Sequence, residues 1–134
     1  MNLFLSYRHT GEDLTQLENT IKKLEQSLVT AGFEVFCSFW KDQDFKNNGL
    51  SVKDIYKYCL EEMEKQDIIL FFINSLQESQ GMNIELEHSY NLNKKRILVI
   101  NKNLEYLSFR QAADHIIEFE DIEDLCKSLS VLKI

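Results

Sequence analysis

The chain has 134 residues, 44% of them hydrophobic and 28% charged, enough to fill one core, and no shift in composition marks a boundary. Its 15 basic and 22 acidic side chains leave a formal charge of −7, which argues against nucleic acid as a partner while leaving room for a local pocket that holds one phosphate. The longest apolar runs, Ile68 to Ile73 and Ile97 to Ile100, fall far short of the roughly 20 residues that span a bilayer, so no membrane segment is expected, nor a secretory leader before the opening strand.

Asn2 to Tyr7 alternates into an apolar strand, and Gly11, Glu12 and Asp13 then open a helical pattern. Leu14, Leu17, Ile21, Leu24 and Leu28 recur along it at spacings of three and four, and Gly32 closes it. Phe33 to Cys37 is a second strand, rich in aromatic and β-branched residues. The polar stretch from Ser38 to Leu50, too long for a tight connection, carries Phe39, Trp40 and Phe45 among charges and reads as a functional loop. Ser51 is the expected N-cap of the next helix, with Asp54 as a capping-box partner and Ile55, Cys59, Leu60 and Met63 on the apolar face.

Asp67 leads into Ile68 to Ile73, an uninterrupted apolar run of the kind buried on both faces of a parallel sheet, and therefore the central strand. A loop from Asn74 to Gln80 precedes a helix from Gly81 to about Asn93, and Arg96 to Asn101 returns as a fourth strand. A short helix over Tyr106 to Ala113, a weak strand over His115 to Phe119 and a last helix over Ile122 to Leu132 complete the chain. Strands alternate with helices throughout, so right-handed crossovers are expected. The fold class is α/β: one domain over residues 1–134 with a doubly wound, five-stranded parallel sheet in the flavodoxin-like order 2-1-3-4-5.

In such sheets ligands collect beyond the carboxyl ends of the strands, where the strand order reverses. Three stretches should therefore converge: Ser6 to Gly11, Asn74 to Glu85, and the aromatic segment around Trp40. Ser79 and Gly81 form a turn at a helix N-terminus, whose free N–H groups favour a phosphate or carboxylate. Glu85 then falls in the first turn or so, its carboxylate aimed at the crevice; the plainer alternative is that it complements the helix dipole. Glu87, roughly 200° further around the helix, cannot form a facing acid/base pair with it.

Ser6, Tyr7, Arg8 and His9 offer a hydroxyl, a phenol, a cation and an imidazole suited to holding an anion, or else form an ordinary polar loop. Phe39, Trp40 and Phe45 could stack on a nucleobase or nicotinamide, or simply pack. Cys37, Cys59 and Cys126 have no zinc spacing, and His88 and His115 have no partners at ligand spacing. No metal is therefore expected, and the thiols are expected buried and reduced, in the cytoplasm.

The run Phe4-Leu5-Ser6-Tyr7-Arg8 resembles the first-strand signature of TIR domains and also fits the nucleoside 2-deoxyribosyltransferase family. Asp67-Ile68-Ile69-Leu70, then Ser79-Gln80-Gly81-Met82-Asn83-Ile84-Glu85-Leu86, then Lys94-Lys95-Arg96-Ile97 is similar to the deoxyribosyltransferase succession of strand, glycine turn, catalytic Glu-Leu and returning strand. The likeness covers nearly the whole chain. It implies an N-glycosidic bond-cleaving enzyme, a deoxyribosyltransferase or N-glycosidase, with Glu85 as nucleophile attacking an anomeric carbon and Tyr7 orienting it. Ser6, Arg8, Trp40, Ser79 and Gly81 are the substrate-binding candidates, Ser79 standing where related nucleotide hydrolases hold a 5′-phosphate. The implied substrate is a nucleoside, a nucleotide or NAD, with no separate cofactor, and a homo-oligomer is the family's common assembly.

The chain departs from that family at Cys59, which stands about two helical turns before Asp67 where the family has a catalytic aspartate. Glu87 replaces a usual glycine, and Met82 stands where TIR enzymes often have an aromatic residue. The alternatives implied are a TIR-like NAD-cleaving enzyme and a non-catalytic TIR-like module that binds a nucleotide or assembles with partners.

Overall fold

In the computed structural model, which describes residues 1–9, 12–75, 77 and 79–134, the run Ile68–Ile73 is a strand buried along its whole length, with Leu70 fully enclosed and Phe71 only 1% exposed. Chain order is β1 (Asn2–Ser6), α1 (Leu14–Thr30), β2 (Glu34–Phe36), a 3-10 turn (Ser38–Lys41), α2 (Asp42–Asn47), α3 (Val52–Glu64), β3 (Ile68–Ile73), α4 (Gln80–Asn91), β4 (Lys95–Asn101), α5 (Leu107–Ala112), β5 (His115–Phe119) and α6 (Ile122–Ser130). The five strands form one sheet in the order β2-β1-β3-β4-β5, every pair parallel, which is the expected flavodoxin-like topology.

The two-residue period of β3 divides its side chains between two apolar layers. Ile68, Leu70 and Phe72 pack with Leu17, Ile21, Leu24 and Leu28 of α1 and with Leu125 and Leu129 of α6. Ile69, Phe71 and Ile73 pack on the other face with Cys59 and Met63 of α3, Met82 of α4 and Phe109 of α5. Both faces are covered, which is why the strand shows no polar alternation.

The helix ends follow their sequence signals. The Asp13 side chain caps α1 by accepting from the Gln16 N–H, and Gly32, at φ +99°, ends it in the left-handed region that only glycine enters freely. The Gly32 N–H donates to the Val29 carbonyl and the Phe33 N–H to that of Leu28, the paired bonds of a Schellman ending. Ser51 and Asp54 form the expected capping box on α3. Leu14 is half-exposed and takes no part in the core.

Two expectations are corrected. The segment from Ser38 to Leu50 is largely helical rather than a loop: Phe45 is buried, Lys46 pairs with Asp42 at 3.1 Å one turn earlier, and Gly49 turns the chain at φ +63°. Six helical residues with one buried anchor are too short to show a period. The strand expected over Phe33 to Cys37 narrows to Glu34–Phe36 at the sheet edge, its two ends buried without joining the ladder. Of the residues expected to open α1, Gly11 lies outside the described residues. No helix among the described residues is long and apolar enough to cross a membrane.

Candidate active site

The strand order reverses beside β1, because the chain leaves it for β2 on one side and returns through β3 on the other. A cavity of about 450 Å³ opens at this reversal, within the roughly 300–1,000 Å³ common for small-molecule sites. Ser6 to His9 enter it from the end of β1, Ser38 from the 3-10 turn, and Asp42 and Phe45 from α2. Ile55, Tyr56, Cys59 and Leu60 of α3 form one wall, and Ser79 to Met82 with Ile84 and Glu85 form the opposite one along the start of α4.

Ser79 is the N-cap of α4: its hydroxyl oxygen accepts from the Met82 N–H at 3.2 Å. The helix thus begins at Gln80, and Glu85 is its sixth residue, in the second turn and not the first. That displacement weakens the dipole reading of Glu85, since the helix field falls off within the first turn. A Cβ at Gly81 would sit 3.4 Å from the Tyr56 ring of α3, an ordinary contact, so the approach of the two helices does not by itself demand glycine there.

Ser6 donates its hydroxyl hydrogen to Glu85 Oε1 at 3.0 Å. As a residue Glu85 is half-buried, yet protein packs around its carboxyl, and burial pushes that group up to about 8 against the partial relief of the Ser6 hydrogen bond. Burial, and next the Glu85 charge, push the Cys59 thiol up to about 12, with the Ser38 hydroxyl acting the other way. Burial also raises the Tyr7 phenol and the Cys37 thiol well above their ordinary ranges, so both stay protonated at neutral pH.

The structure brings Ser6, Tyr7, Arg8, Ser79, Gly81 and Glu85 to one cavity. Tyr7 packs edge-on between Phe39 and His9, with ring centroids at 6.0 and 6.3 Å. Arg8 donates through Nη1 to Glu12 at 2.7 Å and through Nη2 to Gln77 at 2.6 Å, while its buried Nε meets no acceptor among the described residues. Arg8, Ser79 and Met82 also line a smaller cavity of about 130 Å³ toward α1.

Trp40 is not brought to the cavity: its indole N–H donates to Glu25 of α1 at 2.6 Å and its ring packs edge-on against Phe39. The aromatic walls are Tyr7, Phe45 and Tyr56 instead. Sequence reasoning missed Asp42, a second carboxylate at the cavity, whose only signal was its place two residues after Trp40 in a stretch read as a loop. Among the described residues no cluster of three or more His, Cys, Asp or Glu is placed to hold a metal ion.

No family model and no curated protein matches the chain. Solved structures do match it. A CMP N-glycosidase of Clostridium botulinum superposes with a TM-score of 0.71 at 19% identity over 98% of each chain. A 2-deoxyribosyltransferase of Bacillus psychrosaccharolyticus follows at 0.66 and 22%, covering 100% of this chain and 99% of that one. A response regulator receiver domain of Clostridium thermocellum shares the same architecture more loosely, at 0.52 and 15%, over 98% of this chain and 94% of that one. Taken with the sheet order, these likenesses show that the chain has the flavodoxin-like α/β fold that these proteins share, over nearly its whole length.

Proposed function

We propose that the protein cleaves the N-glycosidic bond of a nucleoside or nucleotide, with Glu85 as the nucleophile. One observation carries this reading: a carboxyl group, held by a buried serine and raised by burial to about 8, faces a nucleoside-sized cavity with aromatic walls at the switch point of the sheet. The CMP N-glycosidase and the 2-deoxyribosyltransferase supply the chemical class.

A Glu85 oxygen forms a bond to the anomeric carbon while the bond from that carbon to the base nitrogen breaks, and the bonding pair departs on the base. The base nitrogen takes a proton from solvent water. A second water then attacks the anomeric carbon, gives up a proton, and releases the carboxylate and the free sugar; a second base in its place would complete a transfer. Tyr7, protonated and packed edge-on between Phe39 and His9, lines the same cavity.

Ser79 is suited to a substrate phosphate. Its oxygen accepts from the Met82 N–H while its own hydrogen remains to be donated, and the first N–H groups of α4 stand beside it. Ser79→Ala should weaken a nucleoside monophosphate by about tenfold relative to the matching nucleoside and, through the lost cap, lower stability by about 1 kcal/mol. Calorimetric titration checks the first and thermal melting the second. Equal weakening of both ligands would reduce Ser79 to a cap.

A non-catalytic nucleotide-binding module is the second reading. It rests on Cys59, because a thiol at about 12 is a poor acid for a departing base. The deciding experiment incubates purified protein with nucleosides, nucleoside monophosphates and NAD, and follows released base by chromatography. Release from a nucleoside or monophosphate supports the proposal. Release from NAD alone would favour the TIR-like alternative, and binding without release would favour the module.

A further inference from the structure

Ser6 stands out in the cavity because it is a polar residue that is almost completely enclosed. It is 1% exposed, and the described bond of its hydroxyl reaches Glu85, 79 positions along the chain. The placement follows from the strand. Leu3 and Leu5 of β1 point to the α1 and α6 layer and Phe4 points to the α3 and α4 layer, so the two-residue period turns Ser6 toward α4 as well. Its backbone pairs in register with Phe71 at the rigid centre of the sheet, which fixes the hydroxyl relative to the cavity floor.

Serine could donate to a ligand only by surrendering this partner, and a buried carboxylate that loses a donor pays heavily in free energy. Among the described residues no other donor reaches either Glu85 oxygen, and the bond is made to Oε1, leaving Oε2 unclaimed by protein. We propose that Ser6 is a positioning residue for Glu85 and not a ligand contact: its hydroxyl holds Oε1 and so presents Oε2 to whatever occupies the cavity. The link to turnover rests on the cleavage reading above; the link to Glu85 itself does not.

The titratable and charged groups on the packed elements around this carboxylate are Tyr7, Arg8 and His9 after β1, Asp42 of α2 and Tyr56 and Cys59 of α3, which line the same cavity, and Cys37 after β2, which like Cys59 feels the Glu85 charge. Arg8 is engaged by Glu12 and Asp42 by Lys46, and the tyrosine and the two thiols whose ionisation burial suppresses carry no charge near neutrality. None of these is altered by a change at Ser6. A titration of Glu85 that moves with Ser6 therefore reports the hydroxyl.

The test follows the side-chain carboxyl carbon of Glu85 by ¹³C NMR across pH in the wild type, Ser6→Ala and Ser6→Thr, beside the kinetics of base release. Ser6→Ala removes a donor to the ionised form, so its midpoint should rise by about one pH unit or more. Its kcat should fall roughly tenfold or more with KM little changed, and Ser6→Thr, which keeps the hydroxyl, should restore both. An unmoved midpoint in Ser6→Ala would overturn the proposal, as would a change in KM at constant kcat, the mark of a ligand contact. If the wild type released no base from any compound, the cleavage reading would fail while the NMR titration still decided the role of Ser6.

Discussion

Glu85→Gln should lower base release by roughly 10³-fold or more while the protein still folds and binds its ligand. The amide keeps the size of the side chain and can still accept from Ser6, but it cannot form a glycosyl ester or balance positive charge at an anomeric carbon. Stability should move the other way. The carboxyl titrates near 8 in the folded protein against an ordinary 4.5, so the folded state keeps a proton that the unfolded chain releases between those values. The protonated carboxyl's favourable contribution is thus fully present below about pH 4.5 and is lost as pH rises through about 8. Glutamine carries no such penalty. The variant should match the wild type at pH 4 and melt several degrees above it at pH 9, whereas a carboxylate that merely served the helix dipole would leave the variant the less stable one.

The second large effect lies beneath the site. Phe71 is 1% exposed, packs edge-on against Phe109 at a centroid distance of 5.3 Å, and is paired in register with Ser6 on one side and Leu98 on the other. Phe71→Ala should cost about 3–5 kcal/mol, through lost burial and the cavity left behind, and lower Tm by roughly 10 °C or more. Leu107→Ala, at a residue 63% exposed, should change stability by no more than about 0.5 kcal/mol. Urea denaturation of both variants checks the contrast. Because Phe71 abuts Ser6 across the ladder, its loss should also loosen the hold on Glu85.

Much of this fold could be read from periodicity. The unbroken apolar run of β3 and the three-and-four spacing of Leu17, Ile21, Leu24 and Leu28 are signals that each element carries within itself. Once the alternation implied the strand order, the carboxyl ends of β1 and β3 had to meet, and Ser6, Tyr7, Arg8, Ser79, Gly81 and Glu85 came together on that ground alone.

What escaped depended on side-chain direction across elements far apart in sequence. Nothing local to Trp40 announces that its indole turns back to Glu25, and nothing local to Tyr56 or Asp42 announces that they border the cavity. Helix α2 is too short for a period, and the start of α4 is fixed by a side-chain cap at Ser79 rather than by the glycine that follows it. The Ser6–Glu85 bond, which ties a strand end to the second turn of a helix, has no sequence signal of its own.

The most direct test of the central claim is the pH dependence of kcat/KM for base release from the best nucleoside or monophosphate, since this quantity reports ionisations of the free enzyme. A nucleophilic Glu85 must be ionised, so the rate should climb tenfold per pH unit on the acid side, bend near pH 8 and level off above it. Base release that is flat from pH 6 to 9, or that falls as Glu85 ionises, would contradict the assignment of Glu85, and the absence of release at every pH would contradict glycosidic cleavage itself.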